Sequence, residues 1–542
     1  MASVISNFLD TAVGFLWGTP LIVLVLGSGA LFTIGTGFFQ FKHFGYFMKH
    51  TFGSLFDKAE HETGSGHVSA FNAIATAIGG AVGVGNIGGV ATAIAVGGPG
   101  ALFWLWVAAL LGMALKSAEV SLACYYRSYD EDGQPYGGPT YYIQKGIGEL
   151  LPKKIAKIAS VLAVIFGVGF ASNFFSGVQG YTIAEGFTSA FPVPILVFAV
   201  IYSIVVWIIV WGGGKRVVEF AGKIVPFMVV LFVAAGLGVI LLNITQLPAA
   251  FALIFKSAFS GTAAVGGFAG AAASAAIQNG IARSVFSNEA GQGSSTMVHS
   301  QAKVEHPVRQ GMWGMFEVFV DTMVVCTIMS LAIIMSGVWS SGVQGAALSV
   351  SAFGSVYGNI GAKFVAVAIL LFGITTQTGW FMYYDVLLRH ALKNNIALKN
   401  KIITGFKVIY PLPSLITIFY TVQNGLPTGF VWKITDFFCA VPTTLNILCV
   451  IAMSGVYFKL VKDYKARYMG IGTVDPNFKV FYEKDPTRRS DRIAAAFDQT
   501  ALKEPHLALR RCGPGTDDRQ PRRISRGCRF FPVHNHFTGP PP

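Results

Sequence analysis

The chain has 542 residues, of which 53% are hydrophobic and only 12% are charged, and its mean hydropathy is +0.57. Soluble domains carry about twice that charged share, so the composition excludes a soluble globular protein and indicates a bundle of membrane helices. The net charge of +14 does not indicate nucleic-acid binding. The basic residues lie in loops and in the tail, where membrane proteins keep them on the cytoplasmic side.

The apolar segments predict an all-α polytopic protein with about eleven transmembrane helices, each near the ~20 residues that a bilayer requires. These segments are residues 14–38, 70–96, 101–125, 158–187, 195–211, 224–242, 261–286, 312–338, 363–388, 408–422 and 430–458. The first lacks the flanks of a signal peptide and is expected to be retained. The loops alternate between basic and nearly uncharged. This alternation predicts a cell-membrane protein with the N-terminus outside and the C-terminus in the cytoplasm.

Two spans are interrupted by glycine-rich stretches, at Gly79–Gly89 and at residues 266–274. Paired interruptions at matching positions are typical of inverted-repeat transporters with a site at the membrane midplane. We therefore expect four parts. They are an extra N-terminal helix with its loop (residues 1–67), a first inverted repeat of five helices (68–243), a second (261–460) and a basic, disordered tail (461–542).

The first glycine-rich stretch has two interpretations. Its small residues can form a close-packing face for a neighbouring helix. Alternatively, the helix is unwound there, and its freed backbone groups bind a solute and an ion, since unpaired groups in hydrocarbon are costly. Glycine content alone does not separate the two, but Asn86 places a polar side chain at mid-membrane depth and favours the unwound helix.

Several polar side chains inside apolar spans are candidates for binding. The hydroxyls of Thr375 and Thr376 either bond to carbonyls of their own helix or serve as oxygen ligands for a hard cation such as sodium. Gln179 either binds a substrate amine or carboxylate or bonds to a neighbouring helix. Trp380 and Phe268 either wall a pocket or are plain packing.

Charged pairs one helical turn apart also lie within the spans: Lys116 with Glu119, and Glu317 with Asp321. Embedded charges are functional candidates by default. We expect ion pairs among them or with Arg283 in preference to a proton relay. The segment that follows Arg283, residues 287–293, is interpreted as a gate or a helix cap. No cysteine spacing indicates a metal site.

Two longer motifs resemble a known family. Residues 97–107, GGPGALFWLWV, and residues 280–291, GIARSVFSNEAG, are similar to two blocks of the alanine or glycine:cation symporter family. Leu105 replaces the methionine usual there. The resemblance covers about Gly14 to Lys462. It implies sodium- or proton-coupled uptake of alanine or glycine, on the inverted-repeat fold shared with neurotransmitter:sodium symporters, and no enzyme activity.

The resemblance also implies site residues. The carbonyls of Gly79, Val82 and Phe372 and the hydroxyls of Thr375 and Thr376 would hold the co-transported sodium. The substrate carboxylate would meet backbone amides near Val82 and Gly83, at the positive end of a half-helix. The expected substrate residues are Ala81, Val82, Gly83, Gln179, Phe268, Gly270, Thr376 and Trp380.

Two other classes of function remain as alternatives at this stage. A cation channel would use the glycine-rich stretches as a filter, but channels usually build their filters from several subunits. A membrane enzyme would need a nucleophile and a base, or a metal cluster, at a common depth, and the sequence offers none. The leading hypothesis is a secondary symporter for a small neutral amino acid.

Overall fold

The computed structural model of the chain describes residues 2–56, 70–130, 133–259 and 271–483. Most of these residues are helical, because a span in lipid must satisfy its backbone hydrogen bonds within itself. The α-helices of the first half are α1 (Ala2–Leu16), α2 (Thr19–Gly35), α3 (Phe39–Lys42), α4 (Phe44–Lys49), α5 (Ala70–Ala81), α6 (Val90–Gly97), α7 (Ala101–Tyr125), α8 (Pro139–Tyr142), α9 (Gly148–Leu150), α10 (Lys157–Ser172), α11 (Val178–Thr188), α12 (Ile195–Trp211) and α13 (Gly213–Leu242).

The second half continues the helical pattern. Its α-helices are α14 (Leu247–Phe259), α15 (Ala271–Asn288), α16 (Thr296–His299), α17 (Pro307–Val318), α18 (Thr327–Met335), α19 (Gly345–Ala391), α20 (Ile396–Ile409), α21 (Leu412–Gln423), α22 (Thr428–Ala452) and α23 (Ser454–Met469). Turns of π-helix occur at Gly85–Gly89, Ile143–Ile147 and Phe319–Cys326. A two-stranded antiparallel hairpin pairs β1 (Ser128–Tyr129) with β2 (Pro135–Tyr136).

The structure confirms the predicted all-α membrane architecture. In the described part of the chain, nine helices or helix pairs are long and apolar enough to cross a membrane. The shorter apolar helices are α12, at the fifth predicted span, and Ile244–Phe259, which contains α14 and lies between predicted spans. Helix α15 occupies the position of the seventh predicted span. Residues 261–270 of the seventh predicted span lie outside the described residues. The predicted count of about eleven spans therefore agrees with the observed helices.

Some predicted boundaries are wrong. The segment before residue 363 was expected to be a loop, but α19 begins at Gly345 and is interrupted at Gly358, where φ is +63°. The last predicted span is two helices, separated at Met453. Helix α13 begins eleven residues earlier than predicted, at Gly213, because lysine and arginine are good helix formers and do not end a helix.

Close packing at the centre of the bundle joins the two predicted repeats. Helix α7 packs against α17, and α11 packs against α19. Glycines allow the first contact: a Cβ on Gly311 would lie 2.3 Å from the Ser121 hydroxyl, and one on Gly314 would lie 2.9 Å from Val120 Cγ2. Helix α5 packs on α13 and α19, while α15 packs on α6 and α7. These contacts enclose the interrupted segments.

Candidate functional site

The first glycine-rich span is interrupted where the sequence predicted. Helix α5 ends at Ala81, Val82 and Gly83 are not helical, and a π-helical turn at Gly85–Gly89 leads into α6. All of these residues are buried. Glycine also permits close approach here, since a Cβ on Gly83 would lie 1.7 Å from Thr376 Oγ1. Both interpretations of the stretch are therefore present in one segment.

The interruption brings together most of the oxygens expected to hold sodium. Thr376 Oγ1 lies 3.2 Å from the carbonyl oxygen of Gly79 and 2.9 Å from that of Phe372. Thr375 Oγ1 lies 2.8 Å from the same Phe372 oxygen. Both hydroxyls thus bond to carbonyls of their own helix, but Thr376 also reaches across to α5. Val82 is fully buried beside this group.

The two amides expected to meet a substrate carboxylate already have acceptors within the protein. The Val82 amide donates to the Ile78 carbonyl at 2.6 Å. The Gly83 amide donates to Asn86 Oδ1 at 2.7 Å. Asn86 therefore caps the freed backbone, which explains a polar side chain at this depth. A carboxylate would have to displace Asn86 in order to bind the Gly83 amide.

Asn86 is fixed in turn by a buried carboxylate. Its Nδ2 donates to Asp321 Oδ1 at 2.7 Å and to the Asp321 carbonyl at 3.0 Å. The Ser287 and Thr322 hydroxyls donate to Asp321 Oδ2 at 2.8 and 2.7 Å. Among the described ion pairs, none includes Asp321. Its partners are neutral donors from α15, the first interruption and its own helix.

A second group of predicted residues lines a small cavity. Gln179 and Trp380 face it together with Asn173, Gln377 and Ser414. Trp380 stacks on Phe170 with ring centroids 5.6 Å apart. Thr376 lies one turn before Trp380 on α19, but neither it nor Ala81, Val82 and Gly83 lines this cavity. Phe268 and Gly270 lie outside the described residues. The predicted substrate residues therefore form two neighbouring groups.

A second interruption begins at the end of α15. The helix ends at Asn288, and the backbone takes positive φ at Glu289 (+58°), Gly291 (+93°) and Gly293 (+77°) before α16 begins. The Ala290 amide donates to Asn288 Oδ1 at 3.0 Å, which forms a turn at the helix end. The predicted gate or helix cap at residues 287–293 stays a prediction. This segment touches the first interruption, because a Cβ on Gly85 would lie 3.2 Å from both Phe286 and Ser287.

The embedded charges form pairs, although not all of those expected. Lys116 Nζ lies 3.3 Å from Glu317 Oε1, so pairing between the two spans is confirmed. Arg283 does not join them, because it is bound to Asp436 and lies 4.7 Å from the Trp432 ring. Of the two expected alternatives, the described contacts show pairing among the charges and not pairing with Arg283. No cluster of three or more His, Cys, Asp or Glu in the described ranges could hold a metal ion.

Comparison with known proteins identifies the family. The family model described as the sodium:alanine symporter family matches residues 1–479. The chain belongs to the sodium:alanine symporter family. The symporter is 34% identical over 462 residues to the Methanococcus maripaludis sodium/alanine symporter AgcS, covering 84% of this chain and 97% of that protein. It is 34% identical over 465 residues to the Bacillus subtilis probable sodium/glutamine symporter GlnT, and the match covers 86% of this chain and 91% of that protein.

A solved structure shows the fold of the symporter. The crystal structure of MhsT in complex with L-phenylalanine aligns with a TM-score of 0.51 at 16% identity, covering 75% of this chain and 97% of that one. The protein is thus an integral-membrane, cation-coupled amino-acid symporter on the inverted-repeat fold. It is not an enzyme, and the channel alternative has no support.

Sequence reasoning missed several partners in this symporter. Asp436, Asn446 and His299 bind the embedded charges, yet none of them stood out, because Asp436 and Asn446 lie more than 150 residues from their partners and His299 lies on a separate short helix, 18 residues from Glu317. Their only sequence signal is a polar residue within an otherwise apolar span. The same signal did single out Asn86 and Asp321, but it could not show that these two are bonded to each other.

Proposed function

We propose that the symporter takes up alanine or glycine together with sodium by alternating access. The observation that carries this proposal is the meeting of Thr376, Phe372 and Gly79 oxygens at the first interruption. Separations of 2.8 to 3.2 Å between these oxygens suit one shell around a hard cation bound at about 2.3–2.6 Å. The carbonyls of Gly79, Val82 and Phe372 and the hydroxyls of Thr375 and Thr376 are the proposed ligands.

A small neutral amino acid suits the surroundings of this ion. The cavity beside the interruption is walled by the rings of Phe174, Trp380, Tyr384 and Tyr410, which leaves little room for a long side chain. Gln179 offers a carboxamide to the substrate. AgcS is named for alanine and GlnT for glutamine, so family membership alone does not set the substrate. The proposal of alanine or glycine as substrate therefore rests on the small size of this cavity.

Coupling to sodium supplies the driving force for uptake. One positive charge that moves inward gains about 2.3 kcal/mol per 100 mV of membrane potential, and the sodium gradient adds to it. The distribution of basic loops supports an N-terminus outside and a C-terminus in the cytoplasm of the cell membrane. An inward sodium gradient and an inside-negative potential would direct the net flux into the cell.

The test is uptake of labelled alanine into proteoliposomes with sodium and proton gradients imposed separately. The proposal expects saturable uptake that requires an inward sodium gradient and is inhibited by glycine. Uptake that is unchanged when sodium is replaced by choline would refute sodium coupling. If neither alanine nor glycine inhibits the uptake of an amino acid that the protein does transport, the proposed substrate is refuted.

Proton coupling is the second candidate, and Asp321 is the observation that favours it. Its carboxylate is fully buried, and among the described contacts it has only neutral donors. Burial of an unpaired carboxylate is costly unless a cation or a proton accompanies it. Uptake driven by a proton gradient in sodium-free liposomes, and lost in Asp321→Asn, would support this candidate over sodium.

A further inference from the structure

One turn of α7 holds the second interruption from both sides. Lys116 Nζ donates to the carbonyl of Asn288, the last residue of α15, at 3.0 Å. Glu119 Oε2 accepts from the Gly291 amide at 3.1 Å. A cation suits the negative end of a helix, and the carboxylate satisfies an amide that the helix no longer pairs. Lys116 therefore binds the freed Asn288 carbonyl, and Glu119 binds the freed Gly291 amide.

Further contacts fix this pair in place. Asn446 Nδ2 donates to Glu119 Oε1 at 2.5 Å and to the Gly291 carbonyl at 2.8 Å, so α22 reinforces the same turn. Glu317 on α17 pairs with Lys116 through Oε1 and accepts from His299 through Oε2 at 2.8 Å. Gln310 Nε2 lies 2.8 Å from the other His299 nitrogen, Nδ1, and holds the ring in place. The Lys116, Glu119 and Glu317 side chains have no solvent exposure.

This turn is continuous with the proposed binding region. Ser287, which precedes Asn288, donates to Asp321 at 2.8 Å, and Asp321 holds Asn86 on the first interruption. Phe286 and Ser287 also lie against Gly85. A shift of the α15 end away from α7 would therefore move groups that contact the first interruption.

We infer that Lys116 and Glu119 are positioning residues of the transport site, which set the shape of the second interruption and through it the affinity for the amino acid. This inference rests on the proposed function for its transport readout. It assigns the embedded charges of α7 to backbone positioning and not to a proton relay. Neither residue contacts the proposed sodium ligands in the described contacts.

The test uses two variants designed to fold. Glu119→Gln keeps the side-chain volume but replaces one carboxylate oxygen, a hydrogen-bond acceptor, by an amide NH2 group, a donor. Both Glu119 oxygens accept hydrogen bonds in the structure, one from the Gly291 amide and one from Asn446. The double variant Lys116→Met/Glu317→Gln removes both charges together, because a single removal would leave a buried charge unpaired. The matched control is Asp463→Asn, which neutralises a buried carboxylate on α23 that is bonded to His306 and Arg467.

For both test variants we expect the KM for alanine uptake to rise about tenfold, the effect of losing one hydrogen bond to a charged group, with Vmax nearly unchanged. The control should keep the wild-type KM. A merely structural role would lower the amount of folded protein and Vmax while leaving KM unchanged. Wild-type KM in both folded variants would therefore overturn the inference.

A second measurement does not depend on the substrate. Hydrogen–deuterium exchange of the peptide covering residues 286–293 should be faster in both test variants than in the wild type and the control. In Glu119→Gln the Gly291 amide loses its carboxylate acceptor, and in the double variant the Asn288 carbonyl loses the Lys116 donor. Unchanged exchange would overturn the inference. Wild-type protein without sodium-dependent alanine uptake would refute the proposed function instead, and the exchange result would still decide the positioning role.

Discussion

Replacement of Thr376 by valine tests the proposed sodium ligands most directly. The change exchanges one hydroxyl for a methyl group of similar size on α19. In the structure Thr376 Oγ1 lies 3.2 Å from the Gly79 carbonyl on α5 and 2.9 Å from the Phe372 carbonyl. The variant therefore removes the side-chain oxygen that joins α19 to the Gly79 carbonyl, and it leaves the separate contact of Ser349 with the Ile87 carbonyl in place.

The expected magnitude follows from the loss of one oxygen ligand. An interaction with a charged group is worth about 1.5–3 kcal/mol, and about 1.4 kcal/mol corresponds to a tenfold change in affinity. The sodium concentration that gives half-maximal uptake should therefore rise about tenfold to a hundredfold. The KM for alanine at saturating sodium should change much less, because the ion site can still be filled.

The assay is the initial rate of labelled alanine uptake into proteoliposomes across a sodium titration. Thr378→Val is the matched control: it is the same change two residues later, where the hydroxyl bonds only to the Ile374 and Thr375 carbonyls of its own helix, at 2.8 and 3.3 Å. This control should keep the wild-type sodium dependence. If Thr376→Val and Thr378→Val respond to sodium alike, Thr376 is not an ion ligand.

Three further changes have defined outcomes. Gly83→Ala places a Cβ 1.7 Å from Thr376 Oγ1, so sodium-dependent alanine binding should be lost in calorimetry while the protein stays monodisperse; retained binding would count against the site. Asp321→Asn should reduce uptake about tenfold by loosening Asn86, and wild-type uptake in this variant would contradict that role. Burial lowers the pKa of His306 to about 4 even though Asp463 opposes the shift. The unfolded state therefore binds more protons below about pH 6.5, so stability should fall by about 3 kcal/mol between pH 6.5 and 4 in denaturant titrations, and less in His306→Gln.

The first interruption could be predicted because its cause is local. Glycines within an apolar span weaken a helix, and a polar residue at the same depth needs a partner, so Gly83 and Asn86 together indicated the break. Its position at Val82 and Gly83 was found as expected. Local sequence could not show that Asn86 itself would satisfy the Gly83 amide, since this depends on how the chain turns after the break.

The interruption predicted at residues 266–274 stays a prediction, and the second interruption seen in the described residues is a different one. Glycine and alanine density pointed to residues 266–274, most of which lie outside the described residues. The structure shows a break after Asn288, where Gly291 and Gly293 adopt positive φ. Lys116 and Glu119 on α7, with Asn446 on α22, help to explain why this break is stable. Contacts between residues about 170 positions apart leave no trace in a local pattern.

The breaks also account for several of the buried polar residues of the bundle. Each interruption frees backbone groups that hydrocarbon cannot satisfy, and three of these groups have side-chain partners: Asn86 for the Gly83 amide, Lys116 for the Asn288 carbonyl and Glu119 for the Gly291 amide. Embedded charges in this fold are thus first a consequence of the interruptions. Asp321 differs, because its carboxylate accepts from Asn86 on the first interruption and from Ser287 at the end of α15, and its described hydrogen-bond donors are all neutral. A cation or a proton bound at this carboxylate would therefore act on side chains that contact both interruptions.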